Sequence, residues 1–386
     1  MARKSSSNKR PNSTTGGGSP SGTSPLAETI ANNLDLLSEI LVRLPAKSLI
    51  QFESVSKHWM SLISSSHFST THSSRNPSPS VSGLYSYEIS ASDNSKRLNT
   101  VSFRGHRNLP SLTFLDGLRG NNDSKPVIQH SLNGLILLRH FDDGTTSYIV
   151  CNPTTKKCKT LPPGCFSKLP HLAYLAFDPS KSPHYKVVLI SMYCVDVYSS
   201  HDASWGHVFV ADIYFTNIKG VFWNGAIHWL SDGNGLMRFD VDAMEMIAIP
   251  SPTKPKILSS RKILYFGECG GRLVLAQFCS GFPMAFGLLE LDKDYSGWSV
   301  KCRVDLTRLR SEFPEMHNLG YKFFGFRVLY VLKGEKEKDF VVVLAIPGRV
   351  ISYKLRGKAW DVLPGLCPSA SYDGGAYPFV ETLFPV

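Results

Sequence analysis

The chain has 386 residues, of which 42% are hydrophobic and 19% are charged. This composition is typical of globular proteins and excludes a fibrous or wholly disordered chain, and the length suits two or three domains. The net charge of +11 does not by itself indicate nucleic-acid binding, because lysines and arginines are scattered and the longest basic cluster lies within residues 3–10.

Residues 1–31 contain mostly Ser, Gly, Pro, Asn and basic residues, as in the run MARKSSSNKRPNSTTGGGSPSGTSP. Almost none of these side chains gain free energy from burial, so a disordered basic tail is predicted. The basic residues would suit a nuclear-import signal, although a solvated tail is the simpler interpretation.

The cysteines and the hydropathy give an expectation about the cellular compartment. None of the eight cysteines forms a C-x-x-C pair, and the sequence has neither a signal-peptide-like apolar run nor about 18 consecutive apolar residues. We therefore expect the nucleus, the cytoplasm or both, with free thiols.

A helical module is predicted over residues 32–70. The apolar residues of its first helix recur at steps of three and four, which gives a wide apolar face: Leu36, Leu37, Ile40, Leu41 and Leu44. Pro45 ends this helix, because it has no N–H to donate and its ring clashes with the preceding turn. A second short helix is predicted over residues 47–52, and Ser56 is the predicted N-cap of a third helix that carries Trp59. Residues 71–80 are predicted to be a linker.

This module has more apolar residues than three short helices can bury by themselves. The remaining apolar surface could bind a partner protein or dock on the rest of the same chain. The residues leave both alternatives open, and the Ser-rich segment that follows favours a separate module only slightly.

Residues 81–386 are predicted to form an all-β domain of short antiparallel strands. Apolar residues alternate with period two in short runs separated by Gly, Pro, Asn and Asp, for example GLYSYEI, GLILLRH, SYIVCN and HVFVADIYF. Four strand–turn–strand units are predicted hairpins, at residues 148–163, 236–250, 288–306 and 349–364. A sandwich and a propeller both fit this pattern.

A weak internal repeat favours the propeller. The dipeptides Asn133-Gly134, Asn224-Gly225 and Gly270-Gly271 each precede an apolar run, at intervals of 91 and 46 residues. The first interval is about twice the second, and a period in the mid-forties matches the length of a propeller blade.

Residues 35–68 resemble an F-box. The resemblance rests on three blocks at the family's spacing, which are LLSEIL at 36–41, LPAKSL at 44–49 and VSKHW at 55–59. The following region resembles the F-box-associated β domain of plant F-box proteins, a kelch- or propeller-like fold, on the segments SLNGLILL, YIVCNPTTKKCKTLPP, FDPSKSPHYKVV, FWNGAIHWL and ELDKDYSGWSV. Together the two resemblances cover residues 32–386.

This sequence departs from the F-box pattern in two places. The family's first helix usually opens with a Leu-Pro pair, and Asn32-Asn33 stands there in this chain. Asn33 can still cap the helix, so we expect the module to fold with one apolar partner contact fewer. Gln51 and Ser54 occupy positions that are often basic or Cys.

The resemblance implies a non-catalytic substrate-recognition subunit of an SCF-type ubiquitin ligase. The F-box would bind a Skp-family adaptor, and through it cullin and RING subunits, while the β domain captures a target protein. The expected adaptor contacts are Leu36, Ile40, Leu41, Leu44, Pro45, Leu49, Val55 and Trp59. The alternatives are an adaptor-binding scaffold that acts without ubiquitin transfer and, less favoured, a propeller enzyme.

Other chemistry has little support in the sequence. No H-E-x-x-H, G-x-S-x-G or P-loop pattern occurs, and Cys151, Cys158, Cys165 and His171 are spaced too widely for a typical zinc site. We expect no cofactor, no metal and no nucleic-acid or membrane partner. The target site is unknown. Its candidate loops are residues 199–207, where Trp205 is expected to pack between strands, and 232–235. The apolar C-terminal residues are expected to close the last blade.

Overall fold

The computed structural model describes residues 33–75, 80–89, 96–103, 109–118, 124–164, 172–191, 193–210, 219–230, 235–249, 263–279, 282–317, 325–334, 336, 339–364 and 375–386. The predicted disordered tail over residues 1–31 lies outside the described residues. None of the helices in the described ranges is long and apolar enough to span a membrane.

The three predicted helices of the helical module are confirmed as α1 (Leu34–Leu41), α2 (Ala46–Phe52) and α3 (Lys57–Ile63), but α1 ends at Leu41 and not at Pro45, so Leu44 lies in the turn between α1 and α2. Asn33 caps α1, because its Oδ1 accepts hydrogen bonds from the backbone N–H groups of Asp35 and Leu36 at 3.1 and 3.2 Å. Ser56 caps α3 in the same way, its Oγ accepting from the N–H of Trp59 at 3.1 Å. These side chains satisfy N–H groups that have no partner within the helix.

The predicted linker over residues 71–80 is wrong in its first half, because a fourth helix, α4 (Ser66–Arg75), extends the helical module to Arg75. Phe68 and His72 are buried on one side of α4, and the Nε2 of His72 donates to the carbonyl O of Leu44 at 2.8 Å. Arg75 forms an ion pair with Glu39 of α1 at 2.7 Å. The sequence SHFSTTHSSR is polar and carries no clear apolar period, so tertiary contacts rather than amphipathicity stabilise this helix.

The β domain contains 23 strands within the described ranges, arranged in six antiparallel sheets. Blade 1 has three strands, β1 (Gly83–Ile89), β2 (Lys96–Ser102) and β23 (Ala376–Phe379), and blade 2 has β3 (Val127–Leu132), β4 (Leu135–Asp142), β5 (Thr145–Asn152) and β6 (Lys157–Thr160). Blade 3 has β7 (Leu172–Ala176), β8 (Lys186–Ile190), β9 (Cys194–Ser199) and β10 (Ser204–Phe209), and blade 4 has β11 (Val221–Trp223), β12 (Ala226–Leu230), β13 (Leu236–Asp240) and β14 (Glu245–Ile249). Blade 5 has β15 (Ile263–Cys269), β16 (Arg272–Cys279), β17 (Phe282–Leu291) and β18 (Trp298–Asp305), and blade 6 has β19 (Arg327–Lys333), β20 (Phe340–Ile346), β21 (Arg349–Lys354) and β22 (Ala359–Leu363). A short helix, α5 (Thr307–Glu312), follows blade 5, and 3₁₀ turns lie at Thr113–Leu118, Pro314–His317 and Arg356–Lys358.

The six blades form a closed propeller, and the sandwich alternative is excluded. Each pair of neighbouring blades encloses its own buried apolar cluster, and the sixth cluster packs Leu329 and Val343 of blade 6 against Leu84 of blade 1. Six blades with six interfaces leave no open end to the ring.

The C-terminal strand closes this ring. β23 pairs antiparallel with β1, with Gly83 opposite Phe379 and Ser86 opposite Ala376. The expectation that the apolar C-terminus closes a blade is therefore confirmed, but the blade is the first, because β23 joins the two N-terminal strands of the β domain.

The first strands of blades 2 to 6, together with β23, surround the propeller axis. β23 contacts β3, and contacts continue from β3 to β7, β11, β15 and β19. Because the ring has six positions, blade 1 and blade 4 face each other across the central channel.

The weak sequence repeat marks the turn between the first two strands of a blade. Asn133-Gly134, Asn224-Gly225 and Gly270-Gly271 form these turns in blades 2, 4 and 5, and all six residues have positive φ. Their spacing therefore counts two blades and then one. In blade 3 the equivalent connection spans residues 177–185, which interrupts the repeat.

The expectation that all thiols are free is wrong for one pair. Cys151 and Cys158 lie directly opposite each other on β5 and β6, with 4.2 Å between their Cα atoms, and are joined by a disulfide. Among the cysteines that the structure describes, Cys194, Cys269, Cys279 and Cys302 form no disulfide. The hairpin predicted at residues 148–163 forms, and its strand register, which the sequence analysis did not assign, places the two cysteines opposite each other.

Candidate partner-binding surfaces

The wide apolar face of α1 divides into two stripes. Leu37 and Leu41, the inner stripe, are 2% and 1% exposed and lie in the core of the helical module. Leu36 and Ile40, the outer stripe, are 48% and 49% exposed. Each stripe has a spacing of four residues, so each follows one line along the helix surface. The core of the helical module therefore uses one line and leaves the other uncovered.

The third helix presents a second group of apolar side chains. Trp59 is half-buried and packs edge-on against Phe52, with 5.8 Å between ring centroids. Val55, in the turn before α3, is 58% exposed, and Met60 is 48% exposed. The Ser56 cap fixes the first turn of α3 and thereby sets the direction of Trp59.

The structure separates the eight predicted adaptor contacts into two groups. Leu41 and Leu49 are buried in the core of the helical module, so they stabilise the fold and offer no surface to a partner. The other six have accessible surface, half-buried at Leu44 and Trp59 and exposed at Leu36, Ile40, Pro45 and Val55. For these six residues adaptor contact stays a prediction.

Sequence reasoning missed two exposed apolar residues, Leu34 and Met60. Leu34 is 47% exposed at the first position of α1. Met60 is 48% exposed and directly follows Trp59, so it lies about 100° further around α3. Met60 lies three residues before the buried Ile63, so its position around the helix did not by itself mark it as exposed.

The helical module also docks on the β domain, through the C-terminal segment, residues 380–386. Leu383 lies in the core of the module, and its carbonyl O accepts a 3.1 Å hydrogen bond from Ser69 Oγ of α4. The two alternatives left open by the sequence are therefore both realised on different faces. α4 contacts the same chain, whereas the outer stripe of α1 stays exposed.

Blade 2 holds the C-terminal segment in place. Asn152 is fully buried, and its Nδ2 donates to the carbonyl O atoms of Thr382 and Phe384 at 3.1 and 2.8 Å. Phe384 packs edge-on against Phe177, with centroids 4.9 Å apart. Gly134 has φ +86°, and a Cβ there would collide with the Thr382 side chain, so this turn requires glycine.

The predicted target loops give a mixed result. Trp205 packs against Tyr198, and its Nε1 donates to the carbonyl O of Pro162 at 2.9 Å, as expected for a structural residue. Of the candidate loop 232–235, all but the last residue lie outside the described residues. Cys165 and His171 also lie outside them.

A cavity of about 470 Å³ lies between blades 3 and 4. It brings His184 and His201 together, with ring centroids 4.7 Å apart, but its main charged groups pair with each other, as in the 2.7 Å ion pair of Lys186 and Asp242. Within the described part of the chain, no three His, Cys, Asp or Glu side chains are placed to hold a metal ion.

Comparisons with known proteins find a matching family for both the helical module and the β domain. A family model described as the F-box domain matches residues 33–71, and one described as the F-box associated beta propeller domain matches residues 89–319. The finer kelch-like description stays an expectation. The F-box protein At5g07610 of Arabidopsis thaliana is 30% identical over 87% of this chain and 86% of its own length. The F-box protein At5g49610 of the same plant is 26% identical over 91% of this chain and 96% of its own length.

Among solved structures, TolB from Acinetobacter baumannii superposes with a TM-score of 0.40 at 9% identity, over 81% of this chain and 70% of TolB. That similarity is too low to support any argument about function.

Proposed function

Because the chain belongs to the F-box proteins that carry an F-box-associated β-propeller, we propose that it is the substrate-recognition subunit of an SCF-type ubiquitin ligase. F-box proteins are typically non-catalytic adaptors. In this proposal the helical module binds a Skp-family adaptor, which links it to cullin and RING subunits, and the propeller binds a target protein that becomes ubiquitinated. We also propose a nuclear or cytoplasmic location, which a fluorescent fusion would test.

The half-exposed apolar residues of the helical module are the observation that carries the proposal. Leu34, Leu36, Ile40, Val55 and Met60 are each between 47% and 58% exposed within a domain of 43 residues. Burial of the exposed half of such a side chain gains about 1 kcal/mol. A partner surface that covers several of them therefore gains several kcal/mol, which is the scale of specific protein association.

The chain would contribute to ubiquitin transfer by holding the target protein close to the ubiquitin-charged enzyme. The C-terminal segment joins the helical module to blade 2 through Leu383, Thr382 and Phe384. A propeller held in a fixed orientation would keep a bound target near the ubiquitin-charged enzyme and so raise the effective concentration of the target's lysines.

Adaptor binding can be tested by co-purification of the full chain with a Skp-family adaptor. In the double variant Leu36→Asp and Ile40→Asp, two charges replace apolar contacts, and binding should fall at least a hundredfold. The matched control is Val300→Asp, because Val300 is 60% exposed on β18, the last strand of blade 5. Binding that survives in the α1 variant, or is lost equally in the control, would contradict the proposed interface.

Ubiquitin transfer separates the ligase from a scaffold that binds the adaptor and stops there. Purified adaptor, cullin, RING subunit, activating enzyme and conjugating enzyme would be combined with the chain, and ubiquitin on the chain's own lysines would be measured by mass spectrometry. The ligase predicts transfer that the Leu36→Asp and Ile40→Asp variant loses. A scaffold predicts a stable adaptor complex without any transfer.

A further inference from the structure

One lysine crosses the central channel of the propeller. Lys219 lies two residues before β11 of blade 4, and its Nζ donates a 2.7 Å hydrogen bond to the carbonyl O of Ala376 on β23 of blade 1. Blades 1 and 4 face each other across the axis, so the side chain spans the channel. Lys219 lies just before β11 and Ala376 begins β23, so both lie at the start of a strand that lines the channel, and we call this end of the channel its mouth.

This mouth faces away from the helical module. β23 begins at Ala376 and ends at Phe379, and the C-terminal segment that contacts α4 leaves from its other end. A molecule bound at the mouth would therefore not compete for space with the docked helices.

The ammonium group has few partners for a charge in such a place. Besides the Ala376 carbonyl, it contacts the ring of Tyr377, whose centroid lies 4.6 Å from Nζ. A Cβ on Gly375 would lie only 3.2 Å from Nζ, so the absence of a side chain there leaves room beside the charge. No carboxylate of the described residues forms an ion pair with Lys219. An ammonium carries three N–H donors, and the carbonyl accepts one of them.

Neighbouring groups add to the positive potential. Lys219 keeps accessible surface, but desolvation by the channel wall, and then the charge of Arg327 at the start of β19, lower its pKa to about 8. Lys219 therefore remains mostly protonated at pH 7. Burial and the charge of Lys219 in turn lower the pKa of His130, on β3, to about 3, so this imidazole stays neutral. His130 Nδ1 accepts a hydrogen bond from the N–H of Leu175, and it supplies no negative charge.

We propose that the channel mouth at Lys219 binds an anionic oxygen group, a phosphate or a carboxylate, that the target protein presents. An oxyanion accepts the remaining N–H donors of Lys219, and the accessible surface of this side chain lets the anion reach them. That the anionic group belongs to a target protein, its carrier, rests on the proposed function. The binding of an anion at Lys219 does not depend on that function.

Anion binding can be measured on the full chain with inorganic phosphate as the probe. Thermal unfolding would be followed at pH 7 in phosphate and in chloride at equal ionic strength, because a ligand of the folded state raises the unfolding temperature. Phosphate should raise it for the wild type and for Lys219→Arg, which keeps the charge, but not for Lys219→Met. Lys354→Met is the matched control, since Lys354 is exposed and paired with Asp361 on the edge strand of blade 6. Calorimetric titration should show at least a tenfold loss of phosphate affinity in Lys219→Met alone.

A second measurement needs no variant. Reductive methylation of lysines in the wild type, read by mass spectrometry, should be slowed by phosphate at Lys219 and not at Lys354. Lys219 acts only as a structural bridge across the channel if phosphate neither stabilises the wild type nor protects Lys219, and that result overturns the proposal even if Lys219→Met fails to fold.

Binding of peptides tests whether the anionic group is presented by a protein. Three degenerate fluorescent libraries with a fixed phosphoserine, glutamate or serine would be compared by polarisation. Lys219-dependent binding of the phosphoserine or glutamate library, with weaker binding of the serine library, supports presentation by a protein. Binding of free phosphate without any peptide binding assigns the site to a small anion and overturns the part about the target. The Leu36→Asp and Ile40→Asp variant should keep its full phosphate response, so failure of the adaptor interface and failure of this site are distinguishable.

Discussion

The two stripes of α1 allow adaptor binding and folding to be tested separately with matched substitutions. One double variant, Leu36→Ala with Ile40→Ala, changes the outer stripe. The other, Leu37→Ala with Leu41→Ala, changes the inner stripe of the same helix at the same spacing. Both pairs replace large aliphatic residues by a good helix former, so helix propensity does not favour one variant over the other.

The expected magnitudes follow from exposure. Each outer residue is about half exposed, so its contact with a partner is worth about 1 kcal/mol, and the pair should weaken adaptor binding about 30-fold. The inner residues are almost completely buried, and each truncation leaves a cavity that costs about 2 to 5 kcal/mol of folding free energy. A module of this size has a small core, so losing both inner residues should unfold it.

Two assays read the two effects. Calorimetric titration with the purified adaptor gives the dissociation constant, and amide hydrogen exchange of residues 34–75 gives the local stability of the helical module. The outer variant should bind weakly with near-normal protection of α1 to α4. The inner variant should lose protection there while the propeller keeps it.

The assignment of the outer stripe to a partner interface fails if the outer variant binds the adaptor within threefold of the wild type. It also fails if both variants lose protection equally, because the outer stripe would then belong to the core rather than to an interface.

Three further predictions concern the β domain. Stability should fall as the pH drops from about 6.5 towards 4, because burial lowers the pKa of His228 to about 4 and that of His130 to about 3, while the unfolded chain takes up protons near the ordinary histidine pKa. Urea unfolding at several pH values gives the free energy of unfolding as a function of pH. Its slope should approach the uptake of two protons, or about 2.7 kcal/mol per pH unit. Gly225→Ala should cost about 1 kcal/mol in urea unfolding at pH 7, because φ is +78° there and a Cβ disfavours it. Asn152→Ala should cost about 2 to 4 kcal/mol by the same measurement, since it leaves two carbonyls of the C-terminal segment unpaired.

Each of these predictions has its own control. His228→Gln cannot titrate and should reduce the slope of the unfolding free energy with pH by one proton. An unchanged slope would show that His228 does not contribute to the pH dependence of stability. Gly117→Ala should be nearly neutral, because a Cβ there meets nothing within 4 Å and φ is not positive; an equal cost at both glycines would contradict the argument from φ. Asn152→Ala should speed removal of the last residues by carboxypeptidase, and unchanged digestion would mean that this side chain does not hold the segment.

Local patterns predicted the parts of the fold that depend on near neighbours. The steps of three and four residues gave α1, and the side chains of Asn33 and Ser56 cap helices in the structure as expected. Period two predicted the strands, and the Asn-Gly and Gly-Gly turns gave the blade spacing. These features come from backbone geometry over a few residues, which the sequence alone specifies.

The same patterns could not decide which apolar residues face a partner. Ile40 and Leu41 are adjacent, similar in size and both on the apolar side of α1, yet one is half exposed and the other is buried. What separates them is the packing of the other helices and of Leu383 around Leu41, and that cluster includes residues from the polar α4 and from the far end of the chain. A helical period shows which residues share a face but not what covers that face.

By itself, then, the sequence determined the helices of the helical module, the strands, the turns and the resemblance to F-box proteins. Only the tertiary structure decided the number of blades, the role of β23 in closing the ring, the docking of the C-terminal segment on α4 and the position of Lys219 across the channel. The physical reason is distance along the chain. Ser69 and Leu383 are 314 residues apart, and Lys219 and Ala376 are 157 apart, so their contacts depend on the closed ring as a whole and on no local pattern.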